Sequence, residues 1–204
     1  FLIAKGAEVV VIACNTATAA AVKYLREKYP IPFVGMEPAI KPAALTSKTG
    51  VVGVLATANT FKGSLYHNTL EKFASDVEVI EKVGEGLVEF VEGGLTDGPE
   101  VEKVLHRYVD PMLESGADAI VLGCTHYPFL ESAIRKIAGD GINIINPAPA
   151  IALQTKRLLE SIEGRKPSSS QYLFYSTGDT SVMHSIVSKI VPSVPDQAFL
   201  TVKV

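Results

Sequence analysis

Short β-branched runs alternate along this chain with stretches of helical apolar spacing, and that alternation leaves few folds open. Residues 9–13, 33–35, 51–55, 77–81, 119–122, 142–145 and 171–175 read as strands. The intervening stretches 17–28, 64–74, 99–114 and 130–138 repeat apolar residues at intervals of three and four, as amphipathic helices do. Strands alternating with helices predict a parallel α/β sheet with crossover helices. Residues 1–5 read as the last turn of a helix, stopped by Gly6.

Comparing the chain with itself adds a second constraint. Residues 6–16 resemble residues 116–126, and each stretch places a cysteine eight residues after a glycine: Gly6 to Cys14 and Gly116 to Cys124. Downstream, both strands that follow leave through proline-rich exits at 35–39 and 146–150. A third echo pairs 56–60 with 176–180. Matches in the same order predict a duplication into two α/β lobes. Proline cannot donate within a central ladder, so the two exits are the natural crossings between lobes. The expected division is 1–38 plus 148–204 for a discontinuous first lobe and 39–147 for the second.

Composition excludes several function classes. Nineteen basic against 22 acidic residues give a net charge of −3, without the clustered Lys/Arg footprint of a nucleic-acid binder. The longest apolar stretch, 9–22, is too short for a membrane span and is interrupted by Asn15, Thr16 and Thr18. Two cysteines cannot alone supply the four ligands of a structural zinc site, so no metal is expected. Free thiols point to a reducing, cytoplasmic compartment.

In a parallel sheet, ligands bind beyond the carboxyl ends of the strands, and both cysteines fall there, each followed by polar residues able to open a helix. The helix dipole and its N–H groups are expected to lower both thiol pKa values below about 8.5. Two lobes facing across a cleft present two sulfurs to opposite sides of one carbon, and removing a proton from one face while returning one to the other is racemisation. Asn15, Thr16, Thr57, Thr60 and Thr125 offer donors and acceptors for substrate charges. His126, two residues past Cys124, can manage that sulfur's proton, and Glu92, placed at a strand or turn end, can orient His126. Glu89 competes with Glu92 for that role. His67, His106 and His184 read as surface residues.

Cys14-Asn15-Thr16, Gly123-Cys124-Thr125-His126-Tyr127-Pro128 and the Thr57/Thr60 segment between them resemble the glutamate racemase members of the aspartate/glutamate racemase family, over about residues 2–159. The resemblance implies two pseudo-symmetric flavodoxin-like lobes and cofactor-independent interconversion of L- and D-glutamate for peptidoglycan, without pyridoxal phosphate. It implies that Cys14 deprotonates D-glutamate and Cys124 L-glutamate, with His126 and Glu92 assisting Cys124. Asn15, Thr16, Thr57, Thr60 and Thr125 would bind substrate. A homodimer is the expected assembly. The competing readings are an aspartate or hydantoin-type racemase using the same thiols, and a non-catalytic two-lobed module for a small anion.

Family members begin with an Asp-Ser-containing, glycine-rich strand end and carry a Tyr-Gly motif before the first cysteine, and this sequence shows neither. The first lobe is therefore expected to be N-terminally incomplete. A polypeptide that starts at Phe1 lacks the family's aspartate partner for the first cysteine and is expected to be inactive. A racemisation assay on the 204-residue chain checks this: no turnover is expected, and substantial turnover refutes it.

Overall fold

The computed structural model describes residues 1–162 and 171–203. Residues 163–170 and 204 of the expected 148–204 segment lie outside the described residues. Among the described residues the strands are β1 (Val10–Ile12), β2 (Phe33–Gly35), β3 (Val51–Ala56), β4 (Glu78–Val83), β5 (Ala119–Gly123), β6 (Asn143–Ile145), β7 (Phe174–Ser176) and β8 (Phe199–Thr201). The α-helices are α1 (Asn15–Lys28), α2 (Ile40–Thr46), α3 (Ala58–Lys62), α4 (Ser64–Phe73), α5 (Leu87–Glu92), α6 (Pro99–Glu114), α7 (Glu131–Ala138), α8 (Ala148–Glu160) and α9 (Ser181–Ile190). The α/β class with parallel strands is as expected, since every ladder among the described residues is parallel. None of these helices is long and apolar enough to cross a membrane.

The largest sheet has the order β4-β3-β5-β6. β3 and β5 are nearly uninterrupted apolar runs because both their faces are covered. Their side chains alternate: Leu55, Ile120 and Leu122 join a core with Leu105 and Met112 of α6, whereas Val52, Val54, Ala119 and Val121 join one with Ile40 of α2 and Tyr66 of α4. Helix α6 buries Val101, Leu105, Val109 and Met112, the apolar stripe its spacing predicts. Each such side chain contributes about 1.5–3 kcal/mol of burial. β4 is an edge strand and carries Glu78, Glu81 and Lys82, charges that discourage further pairing.

In this order the chain steps from β3 to one side, then crosses back to the other, so the direction reverses between β3 and β5. Their carboxyl ends, paired Ala56 to Gly123, form the crevice where such sheets take ligands.

β1 and β2 form their own parallel pair, and so do β7 and β8. Thr18 of α1 locks the first pair: its buried hydroxyl donates to Ile12 O (3.1 Å) and accepts from Met36 N–H (2.9 Å). Gly35 is required beside it, because a Cβ there would lie 2.5 Å from Thr18 Cγ2. The proline-rich exit after β2 leads to α2, which packs on β3 and β5, and the exit after β6 leads to α8, which packs on β2.

The first two echoes in the sequence correspond in the ladders, β1–β2 matching β5–β6. The third corresponds in part: the β7–β8 ladder repeats the parallel β3–β4 ladder, but among the described residues β7 does not pair with β1 as β3 pairs with β5. β8 was not expected, because Pro192 and Pro195 break the pattern before it. The opening turn is a 3-10 helix (Ile3–Lys5) whose stop, Gly6, adopts φ 87°.

Asp118 ties the start of β5 to the loop before β3, accepting from Ser47 Oγ (2.6 Å) and from the N–H groups of Lys48 (2.5 Å) and Thr49 (3.1 Å). Desolvation pushes its carboxyl up, but these donors outweigh it and hold the pKa below the ordinary carboxylate value. A depressed folded-state pKa gives stability that is complete above the unfolded value and is lost as pH falls through the folded one. Asp118→Asn is expected to lose about 1 kcal/mol at neutral pH, allowing for the site's exposure. In urea unfolding the difference from the parent should close below about pH 4.

Candidate active site

Cys14 is the N-cap of α1, with extended backbone (φ −149°, ψ 125°) and Sγ accepting from Ala17 N–H at 3.5 Å. The strand ends two residues earlier, so the cysteine occupies the turn from β1 into α1. Its thiol is exposed. Cys124 occupies the matching position after β5, and its carbonyl accepts from Tyr127 N–H at 3.1 Å. The segment that follows is a 3-10 turn (Tyr127–Leu130) before α7, not the α-helix that the parallel with Cys14 suggested. Pro128 sits in that first turn, where its missing N–H costs nothing.

The two cysteines, Asn15, Thr16, Thr57, Thr60, Thr125 and Gly123 line one pocket of about 20 Å³. Asn15 crosses to the other cysteine's strand: its Nδ2 donates to Gly123 O at 2.7 Å, and its buried Oδ1 has no protein partner among the described residues. Gly123 sits tightly there, since a Cβ would come within 2.8 Å of Ala56 Cβ. Thr57 caps α3 and shares a hydrogen bond with Thr60 Oγ1 at 2.9 Å. Thr16 Oγ1 approaches both, at 3.4 and 3.5 Å. Thr125 lines the wall next to Cys124.

His126 stands between Cys124 and Glu92. Its Nδ1 lies 3.7 Å from Cys124 Sγ, and its Nε2 lies 3.2 Å from Glu92 Oε1. Glu92 is the last residue of helix α5, not at a strand or turn end as expected. The His126 and Glu92 side chains are 31% and 52% exposed, so water screens the pair to under about 1 kcal/mol. Its effect is orientation: an ionised carboxylate only accepts, so Nε2 carries the proton and Nδ1 faces the sulfur. Of the competing carboxylates, Glu92 makes this contact.

Burial is the main influence on Cys124 and pushes its thiol pKa up; the N–H groups of His126 and Tyr127 and the Thr125 hydroxyl pull it down, while nearby Cys14 adds to the rise. The net direction is upward. The expected lowering at this site is therefore corrected: desolvation outweighs the donors, and no α-helix dipole begins there.

His67 and His106 are exposed, as expected, and His106 pairs with Asp110 at 3.0 Å. His184 is only half exposed: it contacts Asp196 at 2.9 Å and rests 4.5 Å from the Phe199 ring. A wider cavity of about 680 Å³ lies between β1 and α8, lined by Val11, Ala13, Met36, Ile151 and Leu159 among others. It is mainly apolar and holds neither thiol. Sequence reasoning missed the Gly123 carbonyl as Asn15's partner, because a backbone acceptor leaves no side-chain signal.

The Asp/Glu/Hydantoin racemase family profile matches residues 2–155. A glutamate racemase of Ectopseudomonas mendocina (strain ymp) is 45% identical over 188 residues, covering 91% of this chain and 72% of the relative. One of Roseiflexus sp. (strain RS-1) is 52% identical over 161 residues, covering 78% of this chain and 59% of the relative. The crystal structure of Escherichia coli glutamate racemase with L-glutamate and the activator UDP-MurNAc-Ala matches with a TM-score of 0.81 at 31% identity, covering 95% of this chain and 73% of that one. The Francisella tularensis glutamate racemase in complex with D-glutamate matches with a TM-score of 0.81 at 27% identity, covering 100% and 76%. The chain thus spans from 59 to 76% of the length of these relatives.

Alkylation of Cys124, followed by peptide mass spectrometry across pH, should show a midpoint above that of an ordinary thiol. Cys14→Ser removes a like charge beside it and should move that midpoint down, whereas an unchanged midpoint contradicts the proximity of the two sulfurs.

Proposed function

The chain belongs to the Asp/Glu/Hydantoin racemase family, and we propose that its two-cysteine pocket is the site of a cofactor-independent glutamate racemase. The observation that carries this reading is that Cys14 and Cys124, from equivalent strand ends, line the same pocket beside Asn15 and four threonines. The relatives' names favour glutamate over aspartate or a hydantoin. A binding module has no use for two thiols so placed.

In this mechanism one sulfur starts as thiolate and the other as thiol. The thiolate takes the Cα proton from one face of glutamate, and the thiol returns a proton to the opposite face, so the sulfurs exchange protonation states and the substrate is inverted. Cys14 acts on D-glutamate and Cys124 on L-glutamate. Cys124, held protonated by burial, is suited to start as the proton donor. His126 Nδ1 takes up or restores that proton, with Nε2 held by Glu92. Asn15 Oδ1, buried and without a partner among the described residues, accepts from the substrate ammonium. The opening of α1 and the hydroxyls of Thr16, Thr57, Thr60 and Thr125 serve the carboxylates.

A pocket of about 20 Å³ holds one water, against roughly 300 Å³ or more for usual small-molecule sites. Glutamate therefore enters as the Asn15 and Thr16 contacts part. The lobes that separate are 1–38 plus 148–204 and 39–147; in support, no strand ladder among the described residues crosses between the two sets. The reading includes a homodimer and a cytoplasmic setting, where both free thiols stay reduced.

L- and D-glutamate are each expected to slow alkylation of both Cys14 and Cys124 several-fold, and L-aspartate less. Thiols that ignore glutamate contradict the proposal. On a chain extended to the relatives' length, Cys14→Ser or Cys124→Ser should lower exchange of the α-proton with solvent at least about 100-fold. A binding module would lose nothing.

A further inference from the structure

The His126–Glu92 contact joins a residue of the Cys124 loop to the far end of a helix, so something has to fix the spacing of those two elements. Tyr127, the next residue after His126, is fully buried, and its hydroxyl donates to Gly84 O at 3.1 Å. Gly84 lies where β4 ends, with its N–H bonded to Ala56 O at 3.0 Å. Gly86 then turns the chain at φ 81° into α5, which ends in Glu92. The fit at Gly84 is close: a Cβ there would lie 2.5 Å from Tyr127 Oη and 2.8 Å from Leu87 Cδ1. The Gly84 carbonyl also accepts a longer bond from Leu87 N–H, at 3.4 Å, but that bond stays within the turn. Tyr127 supplies the bond that reaches across to the cysteine loop.

We infer that Tyr127 is a positioning residue: by holding the Gly84 carbonyl it sets the distance of α5 from the Cys124 loop, and so keeps Glu92 on His126 Nε2 and Nδ1 on the sulfur. Its purpose rests on the racemase reading above, while its geometry does not. Among the described residues, the titratable groups in contact with the His126 ring are Cys124 on its own loop and Glu92 on α5. From α9 the neighbouring wall is Met183, Ile186 and Val187, none of them charged. Burial keeps the phenol protonated as a donor, and the neighbouring acidic groups of Cys124, Tyr108 and Glu89 push in the same direction.

The test is nitrogen NMR of the histidine side chains, which reads the His126 tautomer without requiring turnover. In the parent chain the Nε2–H form should dominate in the neutral ring. Glu92→Gln, which removes the carboxylate, sets the signature of the lost contact. Tyr127→Phe keeps the ring and removes the donor; it should move His126 towards that signature, with at least a threefold rise in the Nδ1–H form. Tyr66→Phe, which deletes another buried hydroxyl, bound to Glu81 on the opposite face of the sheet, should leave the tautomer unchanged. If Tyr127→Phe does not fold, Gly84→Ala displaces the hydroxyl from the other side and should give the same rise. No change in the folded variant, or an equal change in Tyr66→Phe, overturns the assignment. If the tautomer moves but glutamate fails to protect the thiols, the racemase reading falls and the positioning geometry stands; the reverse pattern removes only the role of Tyr127.

Discussion

One buried hydrogen bond, from Asn15 Nδ2 to Gly123 O at 2.7 Å, holds the site together. It joins the residue after one cysteine to the residue before the other, so the two sulfur-bearing turns are set against each other rather than merely placed in the same fold. The bond forms because Asn15 opens α1 directly behind Cys14, and because Gly123 ends β5 without a side chain to obstruct the approach. The threonine contacts of Thr16 with Thr57 and Thr60 extend the same seam. Asn15 Oδ1, on the same amide group, has no partner among the described residues and is left over as an acceptor. One residue thus bridges the two turns and, in the proposed reaction, offers the substrate a partner.

The two halves of the site are not electrostatically equivalent. Cys14 is exposed at the start of a long helix, whereas Cys124 is desolvated, precedes a 3-10 turn and has a histidine and a carboxylate lined up behind it. A reaction that runs in both directions through two thiols needs each to serve as acid and as base. In the proposed reaction the histidine gives the partly buried Cys124 sulfur a nearby group to exchange its proton with.

Much of this was legible in the residues. The apolar runs of β3 and β5 announce buried parallel strands, and the stripe of α6 was readable to its ends because Gly98-Pro99 starts it and Gly116 follows its close. Paired cysteines at equivalent strand ends pointed to one pocket. Less was legible where backbone rather than side chains decides. A carbonyl such as that of Gly123 or Gly84 has no sequence signature, and the 3-10 turn after Cys124 depends on how Pro128 and Tyr127 pack. The sign of the Cys124 shift was misread because dipole arguments count donors and cannot count the water that burial removes. The third sequence echo is matched by the β3–β4 and β7–β8 ladders but, among the described residues, not by a neighbour for β7 equivalent to β5.

The proposed chemistry requires the two sulfurs to face one another across a single small pocket. A short bifunctional thiol reagent, followed by intact-mass and peptide analysis of the monomer, measures this directly. One intramolecular bridge between Cys14 and Cys124 is expected, suppressed by L-glutamate and absent when either cysteine is replaced by serine. Two independent single additions, with no bridge at any reagent concentration, would contradict it.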